Sequence, residues 1–280
     1  MSTYQPDLST RQIEHIGRKL AADRRKTVDS IQNDVYPATG LYARYGKRCL
    51  DIGLSAIALV VTFPVNLVIA VVTLVDLGRP LFFRQVRVGK DAERFTIVKF
   101  RNMTEERNEK GDLLPPEQRV TKWGKFVRRA SLDELLNFWS IFKGDMSIIG
   151  PRPLPEVYLQ RFSKRHMHRL DVRPGLECPP RHLGSSVWTW DEQLENDIWY
   201  VEHLSFKTDV IMAVNLVRFA LDRKSAAARA VAKRGSFMGY DLNGFYIEKY
   251  RKHIHFMLFI SLINQINFLI CTFGCNCIST

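Results

Sequence analysis

The sequence lacks the features that brace small secreted or metal-dependent folds. Its five cysteines, Cys49, Cys178, Cys271, Cys275 and Cys277, are odd in number and contain no C-x-x-C pair. That excludes a disulfide framework and a zinc site of the usual spacing, and a reducing cytoplasm fits best. His166 and His168 stand two residues apart, on different faces of a helix, so they are not read as metal ligands. No stretch reads as a secretory signal, because the first apolar run starts late and no small-residue cleavage site follows it. Acidic side chains are outnumbered, 29 Asp and Glu against 41 Lys and Arg, for a net charge of +12. That balance calls for an anionic partner: nucleic acid, a membrane surface or a phosphorylated substrate. The basic stretches have no interleaved aromatic stacking pattern, which speaks against nucleic acid. There is no internal repeat, and the chain is long enough for one good core or two small ones.

The main apolar run, Ile52 to Val75, is long enough to cross a bilayer but is interrupted by Pro64 and Asn66. Pro64 removes a helical hydrogen bond near the middle, and Thr62 and Asn66 can partly satisfy the freed carbonyls. The flanks are alike in charge: Arg44, Lys47 and Arg48 precede the run, and Arg79, Arg84 and Arg87 follow it. A single pass then has no preferred orientation. A helix-break-helix hairpin with both ends cytoplasmic removes the conflict. A buried core helix is the weaker alternative, because the run is apolar nearly all round.

The chain is organised around Arg128 to Trp139 and its continuation to Pro153. Ser131 and Glu134 have the spacing of a capping box, which predicts a helix from Ser131, with apolar residues at Leu135, Leu136, Phe138, Trp139, Ile141 and Phe142 and a stop at Lys143-Gly144. Asp133 then sits in a first helical turn beside Arg128 and Arg129, where it is expected to be ionised at neutral pH. An ordinary helix start would look the same. Harder to explain as packing is Gly150-Pro151-Arg152-Pro153, in which two prolines stiffen the backbone around an arginine suited to bidentate phosphate recognition. In Phe95 to Arg101, strand alternation puts Phe95, Ile97, Lys99 and Arg101 on one face, so two cations end an otherwise apolar row.

These residues resemble the bacterial sugar transferases, or monotopic phosphoglycosyl transferases. The likeness rests on Lys99-Phe100-Arg101-Asn102-Met103, Arg128-x-x-Ser131-Leu132-Asp133-Glu134-Leu135, Lys143-Gly144-Asp145-Met146-Ser147, Gly150-Pro151-Arg152-Pro153-Leu154 and Val172-Arg173-Pro174-Gly175, and covers roughly residues 45 to 225. It implies Asp133 as the nucleophile that forms a phosphosugar-aspartyl intermediate, with Glu134 as a base or a cap. It further implies Lys99, Arg101, Arg128, Arg152, Arg173 and Asp197 around the substrate, and Mg2+ between Asp133 and a diphosphate. The implied reaction moves a phosphosugar from a nucleotide sugar, a UDP-sugar, to polyprenyl phosphate and releases nucleoside monophosphate. Alternatives are a glycosyl transferase that releases nucleoside diphosphate and a basic membrane-surface module without catalysis. Two departures stand out. The family's usual Ser-Pro break is Phe63-Pro64 here. In Leu176 to Ser186, Ser185 replaces the family's arginine, and Arg181 is the candidate substitute.

The expected fold class is α/β, a small sheet with surrounding amphipathic interfacial helices, anchored by the re-entrant hairpin. The expected organisation is a polar arm at 1–44, the hairpin at 45–78, a cytosolic transferase domain at 79–224 and a basic then apolar tail at 225–280. Within it, residues 81–103 read as strands turning at Gly89-Lys90-Asp91, 120–129 as a short basic amphipathic helix, 155–170 as helical and 206–221 as an apolar helix. Residues 254–275 are read as an interfacial helix, a membrane segment or a tail, without choosing. The partners implied are the nucleotide sugar, polyprenyl phosphate and membrane lipids, with no nucleic acid, at the cytoplasmic face of the inner membrane; a homo-oligomer is left open.

Overall fold

The computed structural model describes residues 10–109, 111–180, 189–221, 237–240 and 246–248. Helix α1, Thr10–Ile31, comes first, so the polar arm carries a 22-residue helix. Helix α2 follows, Lys47–Leu77, entered through a five-residue π-helical segment, Tyr42–Gly46. It continues unbroken past Pro64, so the expected division into two helices does not occur. Side-chain bonds around the proline hold this stretch. Thr62 Oγ1 donates to the Ala58 carbonyl at 2.7 Å, and Asn66 Nδ2 donates to Thr62 Oγ1 at 3.4 Å.

The burial of α2 is confined to its ends. Lys47, Asp51 and Ser55 are buried at one end and Ile69 and Thr73 at the other, while Ile57, Val60, Val61, Phe63, Leu67 and Val68 are exposed. At the first end Lys47 Nζ pairs with Asp209 at 2.8 Å, Arg48 donates to the carbonyls of Ile141 and Phe142, and Asp51 accepts from Ser147 Oγ and the Ile148 amide. At the second, Trp123 Nε1 donates to Thr73, Thr121 Oγ1 to Asp76, and Arg101 to the carbonyls of Leu77 and Gly78. Both ends are therefore fastened to one folded body. An exposed apolar middle between fastened ends is the arrangement of a membrane anchor rather than of a core helix.

That body starts with an antiparallel hairpin, β1 Phe82–Val88 and β2 Arg94–Phe100, turning at the expected Gly89-Lys90-Asp91. Helix α3, Pro116–Arg119, leads to α4, Lys122–Arg129, whose N-cap Thr121 accepts from the Gly124 amide. Helix α5, Asn137–Lys143, ends at Gly144 in the left-handed region (φ 111°), as the Lys-Gly stop predicts. Strands β3, Ser147–Ile149, and β4, Gly175–Glu177, pair in parallel. They come so close that a Cβ on Gly175 would lie 2.2 Å from the Gly150 nitrogen, which makes glycine obligatory there. Between them the expected helix at 155–170 is broken into 3-10 turns and a four-residue α6, Lys164–Met167.

Helices α7, Trp190–Glu202, and α8, Phe206–Leu221, complete the transferase-like region. Two short strands in the expected tail, β5 Phe237–Tyr240 and β6 Tyr246–Glu248, pair antiparallel. β5 is not tail-like, for Phe237 and Tyr240 share a buried cluster with Val28, Phe162, Trp190 and Leu194. Arg161, itself 2 % exposed, donates to the Phe237 carbonyl at 2.6 Å. Residues 254–275 lie outside the described residues.

A buried polar network ties α6, α7 and β5 together. His166 Nε2 meets Glu195 Oε1 at 2.9 Å, its Nδ1 lies 2.9 Å from the Tyr240 hydroxyl, and Arg165 bonds both oxygens of Glu195. Burial holds the His166 imidazole below its ordinary value. Burial opposes ionisation of Glu195, but the hydrogen bonds and charges of His166 and Arg165 outweigh it and bring the carboxyl to about 2. Both groups bind protons more readily when unfolded, so their contribution is present at neutral pH and is lost on acidification. Thermal stability should fall as the pH drops below 6.5 and again between 4.5 and about 2. Melting curves across this range should show a shallower lower limb in Glu195→Gln, with the part owed to other lowered carboxylates such as Glu134 remaining.

Candidate active site

Four of the expected residues converge. Lys99 projects from β2, Asp133 and Glu134 lie on a single 3-10 turn, Leu132–Glu134, and Arg152 follows β3. Glu134 Oε1 accepts from Lys99 Nζ at 2.5 Å and from Arg152 Nη2 at 2.6 Å. Arg152 Nη1 donates to the Leu176 carbonyl at 2.9 Å and to Glu177 Oε2 at 3.2 Å. The guanidinium thus bridges two carboxylates, and its direction is fixed from both sides.

The backbone of Arg152 is fixed as well. Its carbonyl accepts from Arg169 Nη2 at 2.8 Å, and Arg169 is bonded to Asp197 Oδ2 at 2.7 and 3.1 Å. The flanking residues are held by bonds from the Gly175 amide to the Pro151 carbonyl and from the Val88 amide to the Leu154 carbonyl. The two prolines therefore act within a hydrogen-bonded frame rather than alone.

The capping box does not form. Ser131 is in the left-handed region (φ 54°) and its side chain caps nothing. Glu134 is taken by two cations instead, and two charge-assisted hydrogen bonds outweigh one bond to a backbone amide. The left-handed serine stores strain of about 1 kcal/mol or more, a cost often found where a turn must aim a functional group. The turn it starts presents Asp133, 7 % exposed, whose Oδ2 accepts from Asn102 Nδ2 at 3.0 Å.

The two neighbouring carboxylates are driven apart. Burial, with the charge of Glu134 adding to it, raises Asp133 above its ordinary value against the pull of Lys99 and Arg128. This is opposite in sign to the helix-dipole expectation, because no helix starts at Ser131 and desolvation dominates. For Glu134, burial is outweighed by the charges and hydrogen bonds of Arg152 and Lys99, and its carboxyl is lowered. One carboxylate is locked as an anion and the other is left more basic, a division of roles common in catalytic pairs.

The other expected residues are placed elsewhere. Arg128 reaches Asp133 through its charge. Arg101 turns to the carbonyls at the end of α2. Arg173 donates to the Gly144 carbonyl at the end of α5. Asp197 is fully buried and holds Arg169. Burial, against the charge of Arg169, raises its carboxyl to about 6. Arg181 lies outside the described residues. Among the described residues no three His, Cys, Asp or Glu side chains converge on a metal-sized site.

Sequence reasoning missed Asn102, Glu177 and Arg87. Asn102 directly follows Arg101, but only the fold shows that it reaches Asp133. Glu177 meets Arg152 through the parallel register of β3 and β4, which leaves no mark in the sequence. Arg87 lines a narrow cavity with Lys99, Glu134 and Arg152. Alternation along β1 places Arg87 with Gln85 on one face, a signal masked when Arg87 is counted only as a flanking charge.

Residues 42–223 match the family described as bacterial sugar transferase. The chain is similar to an uncharacterized sugar transferase of Bacillus subtilis, EpsL, with 38 % identity over 62 % of this chain and 87 % of that protein. It is 33 % identical to an Aeromonas hydrophila protein named UDP-N-acetylgalactosamine-undecaprenyl-phosphate N-acetylgalactosaminephosphotransferase, over 62 % of this chain and 43 % of that one. It is also 33 % identical to a Klebsiella pneumoniae protein named UDP-glucose:undecaprenyl-phosphate glucose-1-phosphate transferase, over 59 % of this chain and 37 % of that one. The chain thus spans most of EpsL and less than half of the other two.

The Glu134 clamp predicts a stability effect. Glu134→Gln removes the anion between two cations and should destabilise the fold by about 1–3 kcal/mol at neutral pH. Denaturant unfolding checks this. The gap from wild type should close as the pH falls through the lowered Glu134 value, where wild type loses the same charge.

Proposed function

The chain belongs to the bacterial sugar transferase family, and on that premise we propose that it transfers a phosphosugar from a UDP-sugar to polyprenyl phosphate. The observation that carries this reading is the strained turn that sets Asp133 next to Glu134, itself clamped by Lys99 and Arg152. An Asp133 oxygen attacks the phosphorus that bears the sugar, and the bond to the nucleoside monophosphate breaks. A phosphosugar-aspartyl enzyme results. An oxygen of polyprenyl phosphate then attacks the same phosphorus, the bond to Asp133 breaks, and polyprenyl-diphosphate-sugar leaves. Lys99, Arg152 and Arg128 offset the charge that two crowded phosphates bring to the site.

Magnesium suits this donor set, since it takes one or two carboxylates together with substrate phosphates and needs no all-protein cage. Asp133 is the residue to hold it, because Oε1 of Glu134 is filled by Lys99 and Arg152. When bound, the ion would neutralise phosphate charge and align the diphosphate. The names of the Aeromonas and Klebsiella relatives specify undecaprenyl phosphate and UDP-linked donors, which supports these substrate classes.

We read α2 as an unbroken helix seated in one face of the membrane, with both of its ends on the same side. Its two ends are bonded to the same body, and a bilayer cannot lie between parts of one packed core. The catalytic turn then works at the cytoplasmic face of the inner membrane, where a lipid phosphate can reach it.

Purified protein incubated with a panel of nucleotide sugars and polyprenyl phosphate should release nucleoside monophosphate. Release of nucleoside diphosphate would make it a glycosyl transferase acting at the sugar carbon, and no release with any donor would leave only a binding module. Asp133→Asn should abolish both turnover and the covalent adduct while the melting curve stays cooperative.

Topology is tested separately. Single cysteines near Lys47 and Arg84, in a background without native cysteines, should both be labelled from the cytoplasmic side alone. Labelling of either one from the periplasm would show a true span.

A further inference from the structure

Behind the Glu134 clamp lies a narrow cavity lined by Arg87, Lys99, Glu134, Asn137, Arg152 and Leu176. Three cations face it. Lys99 and Arg152 are each bonded to Glu134, but Arg87 has a different partner. Its Nη2 donates to Gln85 Oε1 at 2.6 Å, a neutral group on the same strand face. Its Nε is buried with no hydrogen-bond partner. The Oδ1 of Asn137, a residue of the same lining and only 3 % exposed, is likewise buried and without a hydrogen-bond partner. Buried polar atoms are seldom left unpaired, and an unpaired donor and acceptor lining one cavity suit an occupant that supplies both partners. Burial and the nearby charge of Arg152 both weigh against the Arg87 cation as it stands. An arriving anion would offset both with its own charge.

We propose that Arg87 binds a phosphate oxygen of the nucleotide-sugar donor and that Asn137 Oδ1 accepts a hydrogen bond from a hydroxyl of its sugar. This rests on the phosphosugar-transfer reading above and adds a donor-binding pair to it. Gln85 holds the guanidinium through Nη2, which leaves the neighbouring Nε–H for a phosphate oxygen. The cavity is narrow, so it takes the charged edge of the donor and not the nucleobase. An arginine set behind the clamp also neutralises phosphate charge without competing for Glu134.

The test measures the Michaelis constants for the nucleotide sugar and for polyprenyl phosphate separately, together with competitive inhibition by UDP, which carries the phosphates but no sugar. Arg87→Gln should raise the Michaelis constant for the nucleotide sugar and the inhibition constant of UDP, each on the order of 10- to 100-fold. The constant for polyprenyl phosphate should stay within about twofold, since that substrate loses no hydrogen bond. Arg87→Lys should recover part of the loss, because it keeps the charge but not the fork. Asn137→Ala should raise the constant for the nucleotide sugar and leave UDP inhibition unchanged. A rise confined to polyprenyl phosphate would place Arg87 on the acceptor and overturn the proposal. Unchanged constants in a folded, active Arg87→Gln would overturn it too, and a lowered melting temperature with those constants unchanged would show that Arg87 only packs. Wild-type protein releasing no nucleoside monophosphate from any donor would instead overturn the underlying reaction, before any variant is made.

Discussion

Glu134 sits between Lys99 and Arg152, and much of the site follows from that one clamp. A partly buried carboxylate with two cations on a single oxygen fastens three separate segments: β2, the turn after α4, and the Pro-Arg-Pro loop. Each segment supplies something besides the clamp. β2 leads into Asn102, the turn brings Asp133, and the loop brings a guanidinium that also reaches Glu177. If the clamp opens, Asp133 loses the neighbour that sets its environment. Glu134 is therefore best seen as the anchor of the site.

The same charges explain why adjacent carboxylates differ. Coulombic attraction and hydrogen bonds hold Glu134 low, while burial holds Asp133 high. A carboxylate committed to two cations is a poor nucleophile, because attack would cost those bonds. The neighbour that accepts from a neutral amide keeps its electron pair available. Behind both lies a supporting chain, Asp197 to Arg169 to the Arg152 carbonyl, whose Asp197 and Arg169 are buried. It transmits the order of the α7 core to the one arginine whose position matters most.

Helix α2 imposes a second constraint. The family match covers residues 42–223, so it includes α2 and the body fastened to it, while α1 and β5 lie outside. Those outer elements pack against each other and against Arg161, Phe162 and His166. They close the side of the body formed by the 3-10 turns at Glu156–Arg161, a side that the matched region alone would leave partly uncovered.

The sequence by itself determined the elements whose signals are local. The β1–β2 hairpin follows from strand alternation and a glycine turn, the end of α5 from Lys-Gly, and α8 from its apolar run. The convergence of Lys99, Asp133, Glu134 and Arg152 followed from motif order and spacing, through the family resemblance they carry. The sequence also placed a helix break at Pro64 and a capping box at Ser131, and at both points tertiary context decided otherwise. Pro64 stays helical within a long α2 whose ends are fastened and whose neighbouring Thr62 and Asn66 supply hydrogen bonds. Glu134 leaves the cap because two cations from distant segments bind a carboxylate more strongly than one amide does. Asp197 turns inward because Arg169 needs a buried anion. Glu177, Arg87 and Asn137 join the site only through strand register and packing. Those relations link residues far apart in the chain, and no local pattern of charge or hydropathy encodes them.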